Sequence, residues 1–343
     1  MNMKTFFPFL FCAAVLFLAS CGNNSSKTET KKADIAGTKV APALSKLNEE
    51  ITSDPNNPDL YYQRAKYYLS TKEYNAGITD MLHCLDIDST KAPYFLTLSD
   101  LYFSTNKTSG SKMALEKCIK LDDKNVDAML KLAELYFYVK KNDKSIEYIN
   151  MALKINKYNA KAYFMKGMNY KEIKDTAKAI SSMQTAVEQD QTYYNAYMQL
   201  GILNAARRDP IAVQYYKDAL HIQPNSEETW YDIGKYYQDV ANWTSAMEAY
   251  NTLLKINPKY KNADYNLGVI NLVGLKNYKA AVGHFSDAIK IDPAFIEAYY
   301  GRGVSYQTLN DKKNALIDFQ ACLSINPQYE EAQAAIRQLG GGK

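Results

Sequence analysis

Asn262–Pro293 reads NADYNLGVINLVGLKNYKAAVGHFSDAIKIDP. A small residue, Gly268, stands midway through its first half. Ala281, Phe285 and Ala288 follow in its second half at i, i+4 and i+7, the spacing of one buried helical stripe. The stretch closes on Ile291-Asp292-Pro293, and that closing phrase recurs. It stands at Ile222-Gln223-Pro224, Ile256-Asn257-Pro258 and Ile325-Asn326-Pro327, with weaker copies at Ile87-Asp88-Ser89, Leu121-Asp122-Asp123, Ile155-Asn156-Lys157 and Gln189-Asp190-Gln191. Counted from Pro55, the steps are 34, 34, 34, 34, 33, 34, 35 and 34 residues. A period near 34 is the length of one helix–turn–helix unit stacked in series. Such units bury their apolar faces only against neighbours. Eight copies therefore form one continuous array rather than the two domains that 343 residues suggest by length.

Aligning the copies separates packing positions from surface. The small site of the first helix is Ala65, Ser99, Ala133, Gly167, Gly201, Gly234, Gly268 and Gly303; that of the second is Gly77, Ser111, Ser145, Ala179, Ala212, Ala246, Ala281 and Ala315. Small side chains at both sites let two antiparallel helices approach, and a bulky one would overpack them. Three residues after the first site stand Tyr68, Tyr102, Tyr136, Tyr170, Tyr237 and Tyr306, with Asn204 and Asn271 as the exceptions. Large residues fill the second helix at Met81, Leu115, Ile149, Met183, Tyr216, Tyr250, Phe285 and Phe319.

This pattern resembles the tetratricopeptide repeat across residues 58 to about 327. The resemblance implies an all-α fold, a right-handed superhelical solenoid of antiparallel helix pairs. Eight repeats occupy 58–329, a capping helix lies within 41–57, and a terminal helix and tail fill 330–343. Two copies depart in length. The short one holds Arg207-Arg208-Asp209-Pro210, where Asp209 suits a helix N-cap and Pro210 the first helical position. The long one holds the apolar turn Leu272-Val273-Gly274-Leu275.

The N-terminus reads as an address. Lys4, an apolar run from Phe6 to Leu18 and small residues before a cysteine outline a secretory signal over residues 1–20, too short to count as a membrane span. Leu18-Ala19-Ser20-Cys21 resembles the lipobox of bacterial lipoproteins, which implies acylation of Cys21 and anchorage to a membrane. Gly22 in place of Asp implies the outer membrane, and a tether without an early acidic cluster implies its periplasmic face. The tether, 21–40, is rich in Ser, Thr, Lys and Asn and holds too little apolar surface to fold.

The net charge of +4 falls largely on that leader and tether, which leaves the array close to neutral and argues against nucleic acid as a partner. His83, His221 and His284 lie in different repeats without ligand spacing, so no metal or cofactor is expected. Cys84, Cys118 and Cys322 share a site that is Ala elsewhere and read as small apolar filler. No nucleophile–base constellation converges, so the chain reads as a binding protein and not an enzyme.

In the family resembled, first helices line a concave groove. The positions that face it here include Tyr62, Leu96, Leu130, Phe164, Met198, Tyr231, Tyr265 and Tyr300, then one turn on Met168 and Ile202, and further on Phe137 and Tyr138. Such an apolar, aromatic ladder suits an extended peptide or a partner helix. The basic clamp that some relatives use for a C-terminal carboxylate is incomplete, since Tyr62, Leu130 and Lys131 occupy its sites. The resemblance thus implies a lipid-anchored scaffold that binds protein or peptide partners in the cell envelope. The alternative is a glycan- or peptidoglycan-binding lipoprotein, prompted by 29 tyrosines able to stack on sugars.

Overall fold

Residues 42–340 are described by a computed structural model. The leader, Cys21 and the tether lie outside the described residues, as do residues 341–343. A single helix, α1 (Pro42–Ser53), precedes eight pairs. These are α2 (Pro58–Ser70) with α3 (Tyr74–Ile87), α4 (Ala92–Ser104) with α5 (Thr108–Leu121), α6 (Val126–Tyr138) with α7 (Asn142–Ile155), and α8 (Ala160–Glu172) with α9 (Thr176–Gln189). There follow α10 (Tyr194–Ala205) with α11 (Ile211–Ile222), α12 (Glu227–Asp239) with α13 (Trp243–Ile256), α14 (Lys261–Val269) with α15 (Tyr278–Ile291), and α16 (Ile296–Thr308) with α17 (Lys312–Ile325). Helix α18 (Glu330–Gly340) covers the last pair. The fold is the all-α solenoid expected. Each helix packs on the next, and first helices also touch across pairs, α2 on α4, α6 on α8, α10 on α12 and α14 on α16. Among the described residues second helices make no comparable contact with one another. First helices that crowd while second helices spread bend the array, so the first helices face inward.

The recurring closing phrase has a physical cause. Its polar residue ends each second helix, and in every copy but that of Gln223 it folds its side chain onto the backbone two residues on. Asp88 accepts from the Thr90 N–H at 2.9 Å, Asn156 from Tyr158 at 3.1 Å, Asn257 from Lys259 at 3.0 Å and Asp292 from Ala294 at 2.9 Å. Asp122, Asp190 and Asn326 do the same. This Asx turn reverses the chain into the next pair.

Within each pair a second device makes the turn. In the turn after each first helix one residue adopts a left-handed conformation in all eight copies: Lys72, Asn106, Lys140, Lys174, Arg208, Ala241, Lys276 and Asn310, with φ between 56° and 67°. In the first copy Lys72 N–H donates to the Leu69 carbonyl and Glu73 N–H to the Tyr68 carbonyl, at 3.4 and 2.8 Å. That is the Schellman arrangement, and the recurring Tyr or Asn three residues after the small site supplies its terminal carbonyl. Asn204 and Asn271 are buried, and each side-chain amide donates to a carbonyl one turn back, Leu200 at 2.7 Å and Leu267 at 2.8 Å.

Both length variants are absorbed here. In the short copy Ile211 N–H donates to the Asp209 side chain at 3.1 Å, so Asp209 caps a second helix of 12 residues where the others have 14. In the long copy α14 runs on as a π turn, Ile270–Gly274, and Asn277 N–H reaches back to the Asn271 carbonyl at 2.8 Å. One extra residue is thus wound into the helix end.

Core packing pairs volumes. Where the first small site is Gly, the second helix supplies Met183, Tyr216, Tyr250, Phe285 or Phe319; where it is Ala or Ser, it supplies Met81, Leu115 or Ile149. A Cβ on Gly268 would lie 2.7 Å from the Phe285 ring and one on Gly303 2.7 Å from Phe319. Cys84, Cys118 and Cys322 are buried and unpaired. Burial pushes their thiols up to about 12, 11 and 12, as fits inert filler.

Candidate partner-binding face

The inward side chains of the array split into three groups. In the C-terminal half Tyr231, Tyr265 and Tyr300 are half-buried, each wedged between its own pair's core ring and an aromatic that opens the next pair. Tyr231 lies 5.9 Å from Tyr250 and 5.6 Å from Tyr260; Tyr265 lies 5.7 Å from Phe285 and 5.1 Å from Phe295. Tyr300 likewise bridges Phe319 and Tyr329. These rings join repeats and are only partly exposed. Tyr62 plays a similar part against Tyr94 at 5.0 Å, with the Lys66 ammonium over its outer face.

A second group is inside rather than on the groove. Met198 is 3% exposed, and its sulfur accepts from the Thr229 hydroxyl at 3.1 Å. Its unbranched thioether bends under the start of α12, which corrects the expectation that it faces a partner. Leu130 is buried as well, and Ile202 is half-buried against the cluster that holds Met198 and Tyr216.

The third group converges. Phe137 and Tyr138 at the end of α6, Phe164 and Met168 on α8, and Tyr193 before α10 surround a pocket of about 220 Å³. Met165, Asn169, Glu134 and Lys161 complete its wall. Phe164 and Tyr193 meet edge to face at 5.1 Å. Tyr138 is held by its hydroxyl, which donates to Glu134 at 3.1 Å, and its ring stacks on Phe103 at 6.4 Å and 23°. Phe103 and Tyr138 are 46% and 60% exposed, so this aromatic ledge continues the pocket towards the N-terminal repeats. A second cavity of about 180 Å³ adjoins it through Glu134, beside the Lys131 ammonium that bridges Asp100 at 2.7 Å and Asp127 at 3.2 Å.

Helix α8 also carries polar side chains on its packed sides. Arg64 and Arg302, in the first and last pairs, each fork onto a buried carboxylate, Asp80 and Asp318. Lys166 holds the same register but meets only the Asn150 amide oxygen at 2.8 Å, and Lys171 only that of Gln199 at 2.6 Å. Burial lowers the pKa of both. Asn169 stands where other copies hold Leu101, Leu135, Leu203, Tyr236 or Ile270, and it is 1% exposed. The groove positions read from the sequence do not include it. The signal available is its break in a register otherwise filled by Leu, Ile or Tyr, shared in this array by Ser305, whose hydroxyl is satisfied by the Gly301 carbonyl at 2.8 Å.

Two family models match the chain: "Tetratricopeptide repeat" over residues 296–329, and ChAPs (Chs5p-Arf1p-binding proteins) over residues 70–267. Among curated proteins, a UDP-N-acetylglucosamine–peptide N-acetylglucosaminyltransferase of Giardia intestinalis is 34% identical over 89 residues, 26% of this chain and 6% of that protein. A DnaJ homolog subfamily C member 7 homolog of Dictyostelium discoideum is 23% identical over 144 residues, 38% of this chain and 27% of the relative. The chain thus spans less than a third of these relatives. Among solved structures, the C-terminal part of a TPR repeat-containing protein from Cytophaga hutchinsonii superposes with a TM-score of 0.62 at 18% identity, covering 69% of this chain and 97% of that one. Pseudomonas aeruginosa pilF superposes with a TM-score of 0.51 at 14% identity, covering 59% and 92%. At such identities the likeness is one of fold.

Proposed function

Because the chain belongs to the tetratricopeptide-repeat proteins, with the ChAPs match running through more than half its length, we propose that it is a scaffold that captures protein or peptide partners on its inner face. The observation that carries this reading is the pocket between α6 and α8 with its exposed Phe103–Tyr138 ledge. Singly exposed apolar residues are ordinary on any surface, but contiguous aromatic surface beside a concavity marks a contact site. The motif Leu18-Ala19-Ser20-Cys21 puts the scaffold, in this proposal, on the bacterial cell envelope through lipid on Cys21, at the periplasmic face of the outer membrane.

Two experiments test the two halves. Envelope extract passed over immobilised protein should yield a partner that the Phe164→Ala, Met168→Ala double variant loses. Retention by that variant would move the contact to the outer face or the turns. Cys21→Ser should abolish acyl labelling and release the protein from membranes; a variant still sedimenting with membranes would end the lipoprotein reading.

A further inference from the structure

We propose that the step between α10 and α12 binds a basic side chain, lysine or arginine, from the segment that a partner protein lays along the inner face, with Asp232 and the Tyr216 hydroxyl as its acceptors. The proposal rests on the inner-face reading above and names the partner chemistry selected there. Asp232 is half-buried and shares its register with Lys131 and Met165, which line the two cavities described above. Elsewhere that register is engaged from within the array. Lys131 pairs with Asp100 at 2.7 Å, Gln199 accepts from the Lys171 ammonium at 2.6 Å, and Asn266 donates to the Tyr250 hydroxyl at 3.0 Å. The positions on α10 that correspond to Asp100 and Lys171 are Ile202 and Ala205, which offer Asp232 no partner. Among the described residues its carboxylate makes neither a hydrogen bond nor an ion pair.

A buried hydroxyl reaches the same place. In the next pair Tyr250, fully buried beside Gly234, donates its hydroxyl to Gln238 Oε1 at 3.1 Å and accepts from Asn266. Tyr216, 2% exposed beside Gly201, is its counterpart, with Ala205 where Gln238 stands and Asp232 where Asn266 stands. Its hydroxyl forms no hydrogen bond among the described residues and, unlike the Asn169 oxygen, is not sealed from solvent. Burial and then the Asp232 charge push the pKa of that hydroxyl up, so the two groups share one field. A carboxylate and a hydroxyl oxygen without a cation are what an ammonium or guanidinium answers, since both bring donors and no acceptor. The surrounding charge agrees. Burial and then Glu228, exposed one turn before, push the Asp232 carboxyl up to about 6, as fits a carboxylate short of positive charge. Lys235 opposes that shift, but its ammonium is paired with Asp239 at 3.7 Å.

The test uses the full chain carrying Cys21→Ser, with carbon-13 in its aspartate carboxyls, and magnetic-resonance titration with three probes. They are capped peptides of about nine residues, built of leucine and serine around a central lysine, arginine or Nε-acetyl-lysine. The Asp232 carboxyl signal, identified by its loss in Asp232→Asn, should shift with the lysine and arginine peptides and stay in place with the acetylated one. Both charged peptides should bind about tenfold tighter than the acetylated one, the scale of one hydrogen bond between charged groups. Asp232→Asn, which copies Asn266, should fold and erase that preference, and Tyr216→Phe should weaken the charged peptides alone. Equal affinity for charged and acetylated peptides in the unaltered chain, or a preference that survives Asp232→Asn, would overturn the proposal. A shift of the Asp232 signal with protein concentration alone would give the site to a second copy, and a shift on deleting residues 22–40 would give it to the chain's own lysines; either result overturns a partner's side chain. If the envelope partner is lost on Phe164→Ala with Met168→Ala while charged and acetylated peptides bind alike, the basic-side-chain proposal fails and the scaffold reading stands.

Discussion

Gly268 and Phe285 form a volume pair whose two halves can be exchanged. Phe285 is fully buried, and a Cβ at Gly268 would stand 2.7 Å from its Cδ1 and Cε1 and 3.0 Å from Cγ. The same ring also fills the space a Cβ on Gly301 would need, at 2.6 Å, so it is seated between two glycines. Gly268→Ala should therefore cost about 1–3 kcal/mol through overpacking. Phe285→Leu alone leaves a cavity and should cost a similar amount. Together they approach the pairing of Ser99 with Leu115 in the second repeat, because the new methyl at position 268 fills space the ring vacates. The double variant should be more stable than the sum of the singles by about 1–2 kcal/mol, the range expected for residues in contact. Urea unfolding followed by circular dichroism and by tryptophan fluorescence measures this. Trp243 packs on Gly274, in the same repeat as Gly268, and so reports locally. Strict additivity would refute volume matching as the reason for glycine at this site.

Ala241 is the one alanine among the eight left-handed turn residues, at φ 57°. Ala241→Asn, copying Asn106 and Asn310, should stabilise by about 0.5–1 kcal/mol in thermal or urea unfolding, since Asn tolerates that conformation better. Burial pushes the half-buried Asp232 carboxyl up to about 6, with Glu228 adding and Lys235 opposing. A carboxyl raised on folding destabilises the fold above that pKa and ceases to do so as pH falls below the unfolded value. Asp232→Asn should then raise stability by about 1–3 kcal/mol at pH 7–8, with the gain fading below about pH 4 in paired melts. Deleting Val273, which is 66% exposed, should return the bond from Asn277 to Asn271 to Schellman spacing; near-wild-type stability by thermal melt is expected, and collapse of the repeat would show that the π turn is needed for packing.

What could be read in the chain follows from what each position is asked to do. Small sites, core rings and the Asx turns recur along the array because every pair solves the same packing problem, so their period exposes them. The left-handed turns repeat as regularly, yet they are filled by Lys, Asn, Arg and Ala rather than Gly, and composition hides them. Groove positions are harder still. An inward stripe on a helix has no sharp edge, because about 100° per residue leaves some side chains between the groove and the next repeat. Tyr231 and Met198 stand at matching positions, but a rigid ring reaches the groove edge while a flexible thioether folds under α12. Asn169 shows the converse. It carries no signal as a surface residue, only as a polar side chain in an apolar register, and burial turns that small irregularity into an unmatched oxygen. In an array where regularity accounts for stability, a position that breaks register without local compensation carries a cost its neighbours do not. Ser305 breaks it and is satisfied by Gly301; Asn169 breaks it and is not.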